Sequence, residues 1–60
     1  MTERSLDYAR KEGIAWALQN PWHVMNDVVA RVEKYDRAWG SAAASAFLSG
    51  IEDQDRHIGR

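Results

Sequence analysis

The chain has 60 residues, of which 28% are charged and none is cysteine. Eight Lys and Arg balance nine Asp and Glu, which gives a formal net charge of −1 at pH 7. This composition excludes disulfides and thiolate metal sites. It also lacks the basic face on which nucleic-acid and membrane-surface binding usually depend. We expect a single cytoplasmic domain over residues 1–60, with neither nucleic acid nor membrane among its partners.

The first predicted helix covers about residues 3–19. A row of small residues, Ala9, Gly13 and Ala17, recurs along it at a spacing of four. Residues at that spacing form a ridge on a helix surface, and a ridge of small side chains lets another helix approach closely. Such a contact would explain the presence of Gly13, which costs about 1 kcal/mol relative to alanine inside a helix.

Asn20-Pro21 separates the first helix from the second. Proline disfavours helix at the residue before it and is favoured at the first helical position. Helix 1 should therefore end by Gln19, and the next helix should begin at Pro21. The apolar face predicted for this second helix consists of Trp22, Met25, Val28, Val29, Val32 and Tyr35, with Val24 at its edge. We expect Trp16 and Trp22 to lie in the core.

The segment from Ala38 to Ile51, AWGSAAASAFLSGI, carries no charged residue. Its apolar positions continue the phase of the second helix, which favours one long helix over about residues 21–53. In the alternative, the helix breaks at residues 39–41, where Gly40 ends helix 2 and Ser41 caps a third helix. The predicted fold is all-α. It is either a hairpin with a long second helix, bent or continuous, or a three-helix bundle.

A long second helix would leave one side of this segment bare, because helix 1 is only about half as long. An uncovered apolar face of that size marks a protein interface. Its predicted members are Trp39, Ala42, Ala43, Ala46, Phe47, Gly50 and Ile51. A two-fold homodimer would cover the face and complete a four-helix bundle. A further partner would then bind a charged surface that includes Arg31, Lys34 and Arg37.

Catalytic and metal chemistry have little support in the sequence. There is no cysteine nucleophile, glycine-rich phosphate loop or interpretable Ser-His-Asp set. His23 and Asp27 stand four residues apart, but two ligands do not make a metal site. Three of the four residues from 52 to 55 are acids, namely Glu52, Asp53 and Asp55. We interpret them as a solvated helix end, with a frayed tail over residues 54–60. We expect no enzyme activity, no cofactor and no metal.

Together these features favour a non-enzymatic protein-binding module that acts by occupying a surface of a partner protein. The size and composition are typical of phage- or mobile-element-encoded inhibitors of a host enzyme or defence complex. The alternatives are a small transcriptional regulator or antitoxin, and a structural subunit of a larger assembly. Acids interleaved with Arg31, Lys34 and Arg37 weaken phosphate attraction, which disfavours the regulator.

Overall fold

A computed structural model describes residues 5–57, which form three α-helices and, within that range, no strand. Helix α1 spans Leu6–Gln19, α2 spans Met25–Trp39 and α3 spans Ser41–His57. The all-α prediction is confirmed for these residues, in its three-helix form. None of the three helices is long and apolar enough to cross a lipid bilayer.

The expected continuous helix over residues 21–53 is wrong. Helix α2 ends at Trp39, and Gly40 follows with φ of 97° and ψ of 165°, a conformation that essentially only glycine adopts. The Gly40 amide donates to the Asp36 carbonyl at 2.8 Å and closes α2. The Gly40 carbonyl accepts from the Ala44 amide at 3.0 Å and opens α3. Gly40 therefore ends one helix and starts the next in a new direction.

The connection between α1 and α2 is also longer than predicted. Helix α1 ends at Gln19 as expected, but α2 begins at Met25 rather than at Pro21. The side-chain amide of Asn20 donates to the Trp16 carbonyl at 2.8 Å, which satisfies an acceptor at the end of α1. The His23 amide donates to the Asn20 carbonyl at 3.0 Å, so the intervening residues form a hydrogen-bonded turn instead of the first turn of α2.

The C-terminal helix extends further than the sequence suggested. Helix α3 continues to His57, so residues 54–57 are helical rather than frayed. The predicted start of helix 1 at residue 3 and the end of the predicted tail, residues 58–60, lie outside the described residues.

Helix α3 packs against both other helices, and its tightest contact is with α1. A Cβ at Gly13 would overlap the main-chain carbonyl oxygen of Phe47, and a Cβ at Gly50 would overlap that of Arg10. The two glycines therefore bring the two helix backbones into contact. We call this contact the α1–α3 seam, and it confirms the close helix approach that the small-residue row predicts.

The core is centred on this seam and reaches α2 through Val28 and Tyr35. Its buried apolar residues are Ala9, Ala17, Val28, Tyr35, Ala43, Phe47 and Ile51. The Tyr35 ring stacks on Phe47 with ring centroids 4.6 Å apart. The Tyr35 hydroxyl donates to Oε1 of Glu12 in α1 at 2.5 Å. One side chain of α2 is thus tied to both other helices.

The apolar side of α3 is covered by α1 of the same chain. Phe47 and Ile51 are buried within this single copy. The expected homodimer depended on a bare face over this segment, so that argument for a dimer no longer applies. Dimerisation itself stays a prediction.

Candidate functional site

The structure places most of the predicted interface inside the molecule. Its buried members are Ala43, Phe47, Gly50 and Ile51. Trp39 and Ala46 are partly exposed and pack against the core, while Ala42 is exposed. A binding role for the whole set stays a prediction, but its buried members offer no surface to a second protein in this structure.

Large exposed apolar side chains lie on α2 and the turn before it, and also on α1 at Leu6, Tyr8 and Leu18. Trp22 is 85% exposed, Met25 is 72% exposed and Val29 is 47% exposed. We call these three residues the α2 strip. The prediction that Trp22 lies in the core is therefore wrong, whereas Trp16 does pack against the core. Helix α2 packs on α3, which covers only part of its wide apolar face.

A groove of about 240 Å³ lies between α2 and α3, beside the α2 strip. Its apolar wall consists of Met25, Val28, Val29, Val32, Leu48 and Ile51. Its other lining residues are the acids Glu33, Glu52 and Asp55. This volume is smaller than the roughly 300–1,000 Å³ of small-molecule pockets. The α2–α3 groove therefore suits a row of side chains from another polypeptide better than a small molecule.

Asp55 has one paired and one unpaired carboxylate oxygen. Its Oδ2 lies 3.0 Å from Nε2 of His23, whereas its Oδ1 is buried without a hydrogen-bond partner among the described residues. Nδ1 of His23 lies 2.7 Å from the Asn20 carbonyl. Both ring nitrogens of His23 therefore face oxygen atoms, one of the turn and one of α3. His23 thus joins the α1–α2 turn to α3.

The other acids of the C-terminal group also take part in contacts between side chains. The Asp53 carboxylate pairs with Arg10 of α1 and lies 3.7 Å from Arg56. Glu52 is exposed on the groove side. Our interpretation of the whole group as a solvated helix end therefore holds for Glu52 but not for Asp53 or Asp55. Asp53 and Arg56 are a local pair three residues apart, whereas the Arg10–Asp53 and His23–Asp55 pairs join residues far apart in the chain, and no local spacing in the sequence signals them.

A second, larger cleft of about 600 Å³ opens between the end of α1 and α2. It is lined by Trp16, Trp22, His23, Asp27, Arg31 and Lys34, together with residues of the α1–α2 turn. Two members of the predicted charged interface, Arg31 and Lys34, meet here, whereas Arg37 is exposed outside the cleft. With Asp27 beside these two cations, the cleft does not concentrate one sign of charge.

The structure brings no metal-binding cluster together around His23. The ring nitrogens of His23 face Asn20 and Asp55 rather than Asp27, the residue four positions later. Within the part of the chain that the structure describes, no group of three or more potential ligands gathers.

No protein-family model, curated protein or solved structure matches this chain. The function must therefore be judged from the α2 strip, the α2–α3 groove and the acids that line it.

Proposed function

We propose that this chain is a small, non-enzymatic protein-binding module whose binding surface is the α2 strip together with the α2–α3 groove. The observation that carries the proposal is the exposure of Met25 and Val29 on an apolar groove, together with the exposed Trp22 in the turn before α2. Contiguous exposed apolar surface is a mark of interaction sites. Tryptophan is among the residues most enriched where binding energy concentrates.

The proposed mechanism is steric occupation of a partner's surface. The molecule measures 35 × 21 × 15 Å, so its broad face is comparable to the roughly 800 Å² that each partner buries in a typical stable interface. A partner would therefore use much of one side of the molecule. The form of this mechanism that we favour is inhibition of a host enzyme or defence complex by a phage or mobile-element protein, on the grounds of size and composition.

Position-specific photo-crosslinking in the native host tests the proposal. A photoreactive amino acid replaces Val29 in the full chain, and the matched control carries it at Ala15, an exposed position on α1. We expect the Val29 position to give an adduct with a defined protein, the Ala15 position to give none, and Trp22→Ser to reduce the Val29 adduct. The same adducts from both positions, or none from Val29, would contradict the proposal.

A further inference from the structure

We infer that the α2–α3 groove receives an amphipathic helix of a partner protein that carries lysine or arginine beside its apolar face. This inference rests on the proposed function, because it specifies the chemistry of the partner at the same surface.

The shape of the groove favours a helix as its occupant. Met25, Val29 and Val32 of α2 line one side, and Leu48 of α3 lines the other, with the buried Ile51 also in the lining. A helix laid between two helices inserts apolar side chains at spacings of three and four residues into such a channel. An extended peptide would instead pair with a sheet edge, and residues 5–57 include no strand.

The charge of the groove favours a basic occupant. Glu33 comes from α2, Glu52 and Asp55 come from α3, and among the described residues no lysine or arginine lines the groove, although His23 contacts Asp55. Glu33 and Glu52 are both exposed, so their carboxylates are accessible to cations on a partner. A second copy docked by two-fold symmetry would bring the same acids together from both sides, and like charges across an interface are costly. The occupant is therefore a basic partner helix rather than a second copy.

Glu33 and Glu52 supply the accessible acceptors at the groove. Asp55 is less available, because its Oδ1 is buried and its Oδ2 lies 3.0 Å from His23. A lysine ammonium or an arginine guanidinium on a partner helix would form charge-assisted hydrogen bonds with the two exposed carboxylates.

Two synthetic amphipathic peptides with the same leucine face test the inference by calorimetric titration of the full chain. One peptide has lysines and the other has glutamates on the polar face. We expect the leucine–lysine peptide to bind at least about tenfold more tightly, the scale of one charge-assisted hydrogen bond. Val29→Ser should weaken its binding, since Val29 forms part of the apolar wall.

A charge-reversal pair separates the groove from general attraction to an acidic protein. Glu52→Lys should reduce the preference for the leucine–lysine peptide. Asp7→Lys makes the same charge change at an exposed position of α1, away from the groove, and should leave the preference in place. Equal affinities of the two peptides for the unmodified chain would overturn the inference, and that comparison needs no variant to fold. Equal effects of Glu52→Lys and Asp7→Lys would also overturn it.

Sedimentation of the chain alone tests the competing occupant. A dimer that Val29→Ser dissociates would place a second copy in the groove and would overturn the inference, whereas a monomer supports it. The photo-crosslinking result separates the two proposals. If Val29 gives its specific adduct but the peptides bind equally, only the partner chemistry is wrong. If Val29 gives no specific adduct, the proposed function itself fails.

Discussion

The backbone of Gly13 in α1 lies directly against the main-chain carbonyl of Phe47 in α3, with no space for a side chain between them. Gly50 of α3 lies in the same way against the carbonyl of Arg10. The two helices thus each supply one glycine to the α1–α3 seam. Ala9 and Ala17 are buried on either side of Gly13, so the seam is built on small residues along its length.

Replacement of Gly13 tests the seam. We expect Gly13→Ala to lower the free energy of unfolding by about 1–3 kcal/mol, because the new Cβ meets rigid backbone and the helices have to separate. This loss would occur although alanine is the better helix former by about 1 kcal/mol. Equilibrium denaturation measures it, and Gly50→Ala should behave in the same way. A more stable Gly13→Ala variant would show that the backbones are not in contact here.

Replacement of Gly40 should destabilise the fold for a different reason. A Cβ at Gly40 would meet no atom within 4 Å, but the residue has a φ of 97°. We expect Gly40→Ala to cost about 1–3 kcal/mol through backbone strain alone. The matched control is the chemically synthesised chain with D-alanine at this position, since a D-residue favours positive φ. We expect the control to be as stable as the parent, and equal losses for the two alanines would exclude backbone strain as the cause.

Tyr35→Phe should separate the hydrogen bond of Tyr35 from its ring packing. The variant keeps the stack on Phe47 but loses the donor to the Glu12 carboxylate. A hydrogen bond to a charged group contributes about 1.5–3 kcal/mol, and we expect a loss of that size in denaturant titrations. A double-mutant cycle with Glu12→Ala, which removes the acceptor, isolates the pair. Additive losses in the cycle would mean that the two side chains do not interact in solution.

His23 should be important for stability through Asp55. His23→Phe keeps an aromatic ring near Trp16 but removes the ring nitrogens that contact Asp55 and the Asn20 carbonyl. We expect thermal and chemical denaturation to show a loss of about 1–3 kcal/mol, because a partly buried carboxylate then lacks its partner. In the Asp55→Asn background the same replacement should cost less. A loss that is unchanged in that background would assign the effect of His23 to the turn alone.

A close helix contact along Ala9, Gly13 and Ala17 could be predicted because its cause is local, but the helix that makes it could not. The expected hairpin placed helix 1 against the second helix, whereas α1 packs on α3. Ala9, Gly13 and Ala17 are small at a helical spacing, and the size of a side chain decides directly how closely another helix approaches. The break at Gly40 could not be decided in the same way. The apolar periodicity of α2 and that of α3 agree on the two sides of Gly40 because both helices turn their apolar side chains toward one core, where Tyr35 of α2 stacks on Phe47 of α3. The phase of a pattern therefore does not distinguish a straight helix from a reversal at glycine.

The candidate site could be predicted only in part. The periodicity correctly placed Met25 and Val29 on an apolar face. Which part of that face stays exposed depends on where α1 packs, and the glycines direct α1 to α3. Trp22 is left exposed for that reason. The link between His23 and Asp55 depends on the three-dimensional path of the chain and has no local signal in the sequence.

The α1–α3 seam joins two helices that are not consecutive, so it encloses α2 within a loop of the chain. Closing this loop costs conformational entropy during folding. Releasing α2 from the folded structure loses the core contacts of Val28, Val32, Tyr35 and Trp39 but leaves the seam in place. Amide hydrogens of α2 should therefore exchange with solvent through local opening of that helix, whereas those at the seam should exchange only when the whole domain unfolds. The helix that presents the proposed binding surface is thus the one least tied to the rest of the fold. Substitutions on its exposed side can change the affinity for a partner and leave the α1–α3 seam intact.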